Sequence, residues 1–247
     1  MKVIATIEAR MGSSRLPGKV MLPLAGEPMI IRLVERVRRS KMVNEVVVAT
    51  TKQASDQIII DTCNRYQVKV FAGSEIDITQ RLLDAAGSED ADFVVQLTGD
   101  NPLIDSGLID DAVQELIESK SDYVTNYSNN NLTIGFNVRC FTYTALEKAS
   151  KLSNEPSDRI HGSYYIHRSP ELFSISSVKV GVELQRDDIR LTVDETSDFE
   201  IVRMVFETLY PLKKDFTAKD VVEMIDRFPE WKKINEQVVQ KKPGEDL

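Results

Sequence analysis

Short apolar runs alternate with longer segments of helical periodicity along most of the chain. Residues 3–7 are apolar and rich in β-branched side chains, which predicts a buried strand that ends at Glu8. Residues 29–39 carry apolar side chains at i, i+3, i+4 and i+7, which predicts an amphipathic helix. We expect its opposite face, which carries Arg32 and Arg36, to be solvated. The same patterns predict strands at 45–51, 68–71, 93–97, 123–125 and 191–193, and helices at 55–66, 78–86, 108–118, 197–209 and 218–227. Strands that alternate with helices form βαβ units, so we predict an α/β fold with a mostly parallel, doubly covered sheet.

The regular alternation weakens in the middle of the chain. Residues 128–132 are rich in asparagine, which predicts a turn. Residues 172–182 contain several β-branched side chains, which predicts a pair of strands. We interpret residues 127–185 as a small β-rich elaboration that carries substrate or dimer contacts within a single domain spanning residues 1–240. The charged residues 241–247 contain proline and glycine, which predicts a flexible tail.

Composition narrows the class of protein. The net charge of -8 at pH 7 argues against a protein that coats nucleic acid or binds anionic membrane, so we expect neither partner. Because the overall field repels anions, an anionic ligand needs a local cluster of cations. The distant Cys63 and Cys140 predict two reduced, buried thiols rather than a disulfide or a zinc site. The N-terminus lacks the apolar core of a signal peptide, so we expect a cytoplasmic protein.

A segment with glycines and cations, residues 8–19, follows the first predicted strand directly. Open α/β sheets bind ligands at the carboxyl ends of their strands. Gly12 and Gly18 allow the backbone to approach a phosphate closely. The segment matches neither G-x-x-x-x-G-K-[ST] nor G-x-G-x-x-G, so the usual ATPase and dinucleotide interpretations fail. We interpret it as a phosphate-binding loop, with a solvated basic turn as the alternative. Its cations are Arg10, Arg15 and Lys19.

Two carboxylates follow other predicted strands. Asp100 comes after the strand at 93–97, and Asp194 comes after the strand at 191–193. Either residue could instead cap the turn or helix that follows it. Together with the cationic loop, the two acids predict a Mg²⁺-assisted triphosphate site, since phosphoryl and nucleotidyl transfers need mainly positioning and charge neutralisation.

Three segments of the chain resemble the SpsF-like cytidylyltransferases, a spore coat polysaccharide biosynthesis family related to the enzymes that make CMP-sialic acid and CMP-Kdo. They are A-R-M-G-S-S-R-L-P-G-K (residues 9–19), T-G-D-N-P-L-I-D (98–105) and L-T-V-D-E-T-S-D (191–198). The likeness extends from residue 1 to about residue 235. It implies a nucleotide-diphospho-sugar-transferase-like fold, CTP as donor, Mg²⁺ as cofactor and a homodimer.

The resemblance also implies roles for individual residues. By position it assigns catalytic triphosphate contacts to Arg10, Arg15 and Lys19, further nucleotide contacts to Ala9, Gly12, Ser13, Arg81 and Gln96, and metal ligands to Asp100 and Asp194. The implied reaction is attack of an acceptor hydroxyl on the α-phosphate of CTP, which releases pyrophosphate.

The chain departs from the family pattern in the region that we assign to the acceptor. The family's G-x-D-x-E element is replaced by a sequence that contains Asn137 and Arg139, and its R-E-H-V-T element by one that contains His161. We assign these three residues to the substrate and expect Arg139 to face an anionic group, such as the carboxylate of a 3-deoxy-ulosonic acid. The alternatives are an exposed arginine on a strand and a histidine of the core or of an interface.

The expected activity is transfer of CMP from CTP to a sugar acid, for the biosynthesis of a surface polysaccharide or glycan. Two other functions stay open at this point. One is a sugar-1-phosphate nucleotidyltransferase that uses GTP or ATP. The other is a glycosyltransferase or a non-catalytic binding protein on the same scaffold, because a fold does not determine a function.

Overall fold

The structure, a computed structural model, describes residues 1–127, 132–153 and 155–240. The predicted tail at 241–247 lies outside these residues, and so does all but Leu132 of the predicted asparagine-rich turn. The strands are β1 (Val3–Glu8), β2 (Pro23–Leu24), β3 (Glu27–Pro28), β4 (Glu45–Thr51), β5 (Lys69–Gly73), β6 (Phe93–Thr98), β7 (Tyr123–Thr125), β8 (Arg139–Thr142) and β9 (Ile175–Ser177). The helices are α1 (Met29–Val37), α2 (Gln57–Arg65), α3 (Ile78–Gly87), α4 (Ser106–Ser119), α5 (Tyr143–Leu152), α6 (Pro156–Arg159), α7 (Tyr164–Arg168), α8 (Thr196–Leu209) and α9 (Ala218–Arg227).

One seven-stranded sheet with the order β5-β4-β1-β6-β8-β7-β9 forms the centre of the fold. Strand β1 pairs in parallel with β4 and β6, and β4 pairs in parallel with β5. Strand β8 runs antiparallel to both β6 and β7, so it begins at the edge of the sheet where β1 and β6 end. The predicted mostly parallel sheet is confirmed, and its carboxyl edge collects the ends of several strands.

The alternation of side chains along the strands divides the core into two layers. Val3, Ala5 and Ile7 of β1 pack with α1, α4, α8 and α9, whereas Ile4 packs on the other face with α3, α5 and α7. These strand side chains are at most 1% exposed, and full burial of an isoleucine or valine contributes about 1.5–3 kcal/mol. Helices cover both faces of the sheet, as the sequence pattern predicts.

The prediction of a solvated arginine face on α1 is wrong. Arg36 is 4% exposed, and its guanidinium donates hydrogen bonds to the carbonyl oxygens of Ile104 (2.8 Å), Leu103 (3.2 Å) and Phe216 (3.0 Å). Burial lowers the pKa of Arg36 to about 10. Arg32, on the same helix, is also buried and lies over the ring of Tyr210. Carbonyl oxygens and aromatic faces replace water around these cations, a compensation that helical periodicity does not reveal.

Two predicted strand assignments differ from the structure. Within residues 172–182 only Ile175–Ser177 forms a strand, and residues 191–193 form none. The N–H of Val193 donates to the carbonyl of Asp100 at 2.8 Å, and the carbonyl of Val193 accepts from Lys19 Nζ at 2.7 Å. These backbone groups therefore pair with loops and a side chain instead of with a neighbouring strand.

The middle region contains three short or medium helices, α5, α6 and α7, in addition to β8 and β9. In the described part of the chain, every helix is too short or too polar to cross a lipid bilayer.

Gly135 holds the segment before Asp194 in place, and replacing it tests that packing. A Cβ at Gly135, which has φ +115°, would lie 2.8 Å from the backbone of Leu191, whereas a Cβ at Gly26, with φ +84°, would meet no atom within 4 Å. We expect Gly26→Ala to cost only the backbone strain, about 1–2 kcal/mol. Gly135→Ala should cost about 1–3 kcal/mol more, because the clash adds overpacking. Urea unfolding of both variants measures the difference, and equal losses would contradict the packing.

Candidate active site

The cationic segment after β1 is a closed loop that leads into a short 3-10 turn, Lys19–Met21. Met11 anchors the loop, because its carbonyl accepts the N–H groups of Ser13 and Gly18 at 2.9 Å and its own N–H donates to Asp56 at 2.8 Å. Gly18 adopts φ 72°, a left-handed conformation that favours glycine. The space beside Gly12 is open, which leaves its backbone accessible to a ligand.

The loop ends on Lys19, whose ammonium group joins three separate segments. Lys19 Nζ donates to Asp100 Oδ2 at 3.1 Å, to Asp194 Oδ1 at 3.1 Å and to the carbonyl of Val193 at 2.7 Å. Burial alone would lower the pKa of Lys19, but the attraction of the two carboxylates outweighs it, so the pKa is raised and the side chain stays charged. The two acids that the sequence predicts as metal ligands are therefore brought together by one cation.

Asp194 lies among three cations. Its Oδ2 lies 2.9 Å from Arg15 Nη2 and 2.7 Å from Arg190 Nη2, in addition to the contact of its Oδ1 with Lys19. Burial would raise the pKa of Asp194, but the three cations lower it below the ordinary value of 3.8. Asp198 accepts the backbone N–H of Asp194 at 2.9 Å, which fixes the turn that leads into α8. Asp194 is thus an oriented, ionised carboxylate.

The donor set around Lys19 suits a hard cation that shares its ligands with a phosphate. In residues 1–127, 132–153 and 155–240 there is no cluster of three or more His, Cys, Asp or Glu side chains that could hold a metal alone. Asp100 and Asp194 both accept from the Lys19 nitrogen at 3.1 Å, so their carboxylates lie close together. Mg²⁺ is commonly bound by one or two carboxylates together with substrate phosphates, so these two residues fit it.

A cavity of about 560 Å³ opens over this cluster; we call it the loop cavity. Arg10 lines it with a half-exposed side chain, and its Nη1 lies 3.9 Å from Glu75 Oε1. Arg81 is 2% exposed and donates to the carbonyl of Ser74 at 2.6 Å. The predicted residues that line the loop cavity are Ala9, Arg10, Gly12, Ser13, Arg15, Lys19, Arg81, Asp100 and Asp194.

A second cavity of about 300 Å³ lies beside the first; we call it the side cavity. Two of its lining residues, Gln96 and Arg139, face each other across β6 and β8. The two cavities share four lining residues, so a group in one can reach a group in the other. The shared residues are Glu8, Thr98, Ile160 and His161.

The predicted substrate residues do not all reach the side cavity. Arg139 and His161 line it, but Asn137 is not among the described lining residues of either cavity. Instead, Asn137 Oδ1 accepts the backbone N–H of Gly135 at 3.3 Å and supports its own turn. Gln96, predicted as a nucleotide contact, lines the side cavity and not the loop cavity.

The structure brings to the site two residues for which the sequence pattern predicts no role, Arg190 and Glu8. Arg190 binds Asp194 and also Asp198, at 2.7 Å and 3.1 Å. Glu8 lines both cavities. The signal for Glu8 is its place in the strand alternation, because it lies two residues beyond Thr6, the parallel partner of Gln96.

Most of the chain is similar in sequence to one family of known proteins. The model of the cytidylyltransferase family matches residues 4–224.

The chain belongs to the cytidylyltransferase family.

Several similar proteins match nearly its whole length. An uncharacterized protein of Methanocaldococcus jannaschii is 37% identical over 241 residues, which is 98% of this chain and 97% of that protein. The spore coat polysaccharide biosynthesis protein SpsF of Bacillus subtilis is 29% identical over 233 residues, 92% of this chain and 95% of that protein. The structure of a cytidylyltransferase from Leptospira borgpetersenii is 34% identical, covers 98% of this chain and 100% of its own, and has a TM-score of 0.88. The predicted resemblance to SpsF-like cytidylyltransferases is confirmed.

The ion pairs of Asp194 predict a dependence of stability on pH. Because its pKa is lowered in the folded state, Asp194 contributes stability that is present above its ordinary pKa and is lost as the pH falls through the folded value. The difference in unfolding free energy between wild type and Asp194→Asn should therefore be largest near neutrality and shrink below about pH 4.

Urea unfolding between neutral and acidic pH measures this difference. The exposed Asp187 supplies the matched control, and Asp187→Asn should change the unfolding free energy only slightly. A difference in unfolding free energy between wild type and Asp194→Asn that stays constant or grows on acidification would contradict the ion-pair account.

Proposed function

We propose that this cytidylyltransferase transfers CMP from CTP to an acidic sugar, forming a CMP-sugar and pyrophosphate for polysaccharide biosynthesis. The observation that carries the proposal is the pair of adjoining cavities at the carboxyl edge of the sheet. The loop cavity combines cations with two carboxylates, as a metal-bound triphosphate requires. The side cavity carries a separate cation, Arg139, for the acceptor. The name of the relative SpsF supports the polysaccharide role.

Different residues of the loop cavity bind the triphosphate and the metal ion. Arg10, Arg15 and Lys19 bind the triphosphate, and the guanidiniums can hold phosphate oxygens in bidentate fashion. Asp100 and Asp194 would hold Mg²⁺, which when bound neutralises charge on the phosphate oxygens. The acceptor oxygen attacks the α-phosphorus while the bond to the β-phosphate oxygen breaks. Arg15 and Lys19 then stabilise the negative charge of the leaving pyrophosphate.

Arg139 supports an anionic acceptor. It is exposed at the start of β8, and the described part of the chain provides no ion pair to it within 4.0 Å. A cation that lines a cavity without an internal partner is available to a ligand carboxylate. A 3-deoxy-ulosonic acid supplies such a carboxylate next to the anomeric hydroxyl that would attack CTP. The homodimer and the cytoplasmic location remain predictions.

Removing the charges of the loop cavity tests the assignment of the triphosphate site. Lys19→Ala and Asp100→Ala should each lower pyrophosphate release from CTP by about 100-fold or more, since each residue acts on phosphate charge in a partly buried site. Circular dichroism and urea unfolding verify that the variants are folded. Lys52, an exposed lysine that follows β4, is the matched control, and Lys52→Ala should keep the wild-type rate. Near-normal turnover of either site variant would refute the assigned roles.

The choice of acceptor tests Arg139. Arg139→Gln should lower the ratio of kcat/KM for an acidic sugar to that for its neutral analogue by about 10- to 100-fold, the value of one charge-assisted hydrogen bond. Arg227→Gln, which neutralises an exposed arginine at the end of α9, should leave the ratio unchanged. An unchanged ratio in Arg139→Gln would show that another group selects the acceptor.

A further inference from the structure

Glu8 stands where the loop cavity meets the side cavity. It is the last residue of the central strand β1, and its carbonyl accepts the N–H of Gly99 at 2.7 Å. A Cβ at Gly99 would lie 2.8 Å from the Glu8 oxygen, so the glycine allows the two strand ends to approach this closely. The backbone that carries Glu8 is thus held in the sheet and in the turn beyond β6. A group at this point contacts both the nucleotide side and the acceptor side of the site.

The carboxylate of Glu8 is oriented by a fixed amide. Gln96 Nε2 donates to Glu8 Oε1 at 2.6 Å. The other end of this amide accepts two hydrogen bonds from Ser163, at 3.2 Å from its N–H and 2.6 Å from its hydroxyl. These contacts determine which end of Gln96 faces Glu8. Among the described residues Glu8 Oε2 has no hydrogen-bond partner, so this oxygen can accept a proton from a ligand.

The charges around Glu8 come from several packed elements. Arg81 on α3 and Arg139 on β8 attract a negative charge at Glu8, and Asp100 beyond β6 repels it. His161 also lines both cavities, and His167 and three tyrosines line the side cavity. Burial of Glu8 is the largest influence and raises the pKa of its carboxyl group, although Arg81, Gln96 and Arg139 lower it. A carboxylate with a raised pKa is a stronger proton acceptor than a solvated one.

We propose that the carboxylate of Glu8 is the general base that takes the proton from the attacking hydroxyl of the acceptor. This role rests on the proposed transfer of CMP. As the acceptor oxygen forms its bond to the α-phosphorus, its proton passes to Glu8. The bond between the α-phosphorus and the bridging oxygen breaks, and its electron pair leaves with pyrophosphate. Glu8 then returns the proton to water before the next turnover. Arg139 binds the acceptor's carboxylate in the same cavity and presents the hydroxyl to Glu8.

The test is the pH dependence of kcat with CTP, Mg²⁺ and Kdo as the acceptor. Wild type should lose activity at acidic pH as Glu8 becomes protonated. Glu8→Gln should lower kcat by about 10²- to 10⁴-fold, with little change in KM for CTP or acceptor, and should lack the acidic limb. Glu8→Asp keeps a carboxylate and should recover part of kcat together with an acidic limb. Glu45 begins the neighbouring strand β4, at the edge of the sheet opposite to Glu8. Glu45→Gln is therefore the matched control and should behave as wild type.

The outcomes separate this role from the proposed function. Glu8→Gln should still show the wild-type thermal shift with CTP, which demonstrates a folded protein with an intact nucleotide site. If wild type releases pyrophosphate and Glu8→Gln keeps its kcat or its acidic limb, the role of Glu8 is overturned while the proposed function stands. The role of Glu8 is also overturned if His161→Gln, rather than Glu8→Gln, removes the acidic limb of the kcat profile. It is overturned as well if Glu8→Gln changes KM alone and leaves kcat unchanged. If wild type releases no pyrophosphate with any sugar acid, the proposed function and the role of Glu8 both fall.

Discussion

The ammonium group of Lys19 lies between the carboxylates of Asp100 and Asp194, and the site is built around these two ion pairs. They join the loop after β1, the end of β6 and the turn before α8, three segments that are far apart in sequence. Arg15 and Arg190 complete the pairing of Asp194. Partly buried charges need compensating partners, and removing one member of such a cluster leaves the others uncompensated. The cluster therefore fixes the position of the cationic loop after β1.

The sheet determines what surrounds this cluster. Because β1 and β6 are parallel and β8 is antiparallel to β6, the last residues of the first two strands and the first residue of the third meet at one edge. Side-chain alternation then directs Gln96 and Arg139 to the same face, as opposed neighbours. Glu8 ends β1 between the two cavities. This edge of the sheet thus holds the cationic, acid-lined loop cavity next to the side cavity.

The sequence predicts the parts of the site that depend on local pattern. The cationic loop and Asp100 follow strands whose apolar runs are clear, and the structure contains both strands, β1 and β6, so the positions agree while the binding roles remain predictions. Asp194 reaches the site for a different reason, because its segment pairs with Lys19 and the Asp100 carbonyl instead of forming a strand. Such long-range contacts leave no periodic signal. The burial of Arg36 likewise leaves no sequence signal, since its partners are distant carbonyls. A comparison with the family pattern does not reveal the turn that Asn137 supports.

Direct analysis of the reaction products tests the central claim that the loop cavity activates CTP for attack from the side cavity. The protein is incubated with Mg²⁺, Kdo and each of the four nucleoside triphosphates in turn, and the products are followed by phosphorus NMR. The account predicts a CMP-sugar phosphodiester and pyrophosphate in equal amounts with CTP, and neither a nucleoside monophosphate sugar nor pyrophosphate with ATP, GTP or UTP. In parallel incubations a sugar 1-phosphate replaces Kdo; a nucleoside diphosphate sugar formed there from GTP or ATP, with no product from CTP and Kdo, would contradict the account.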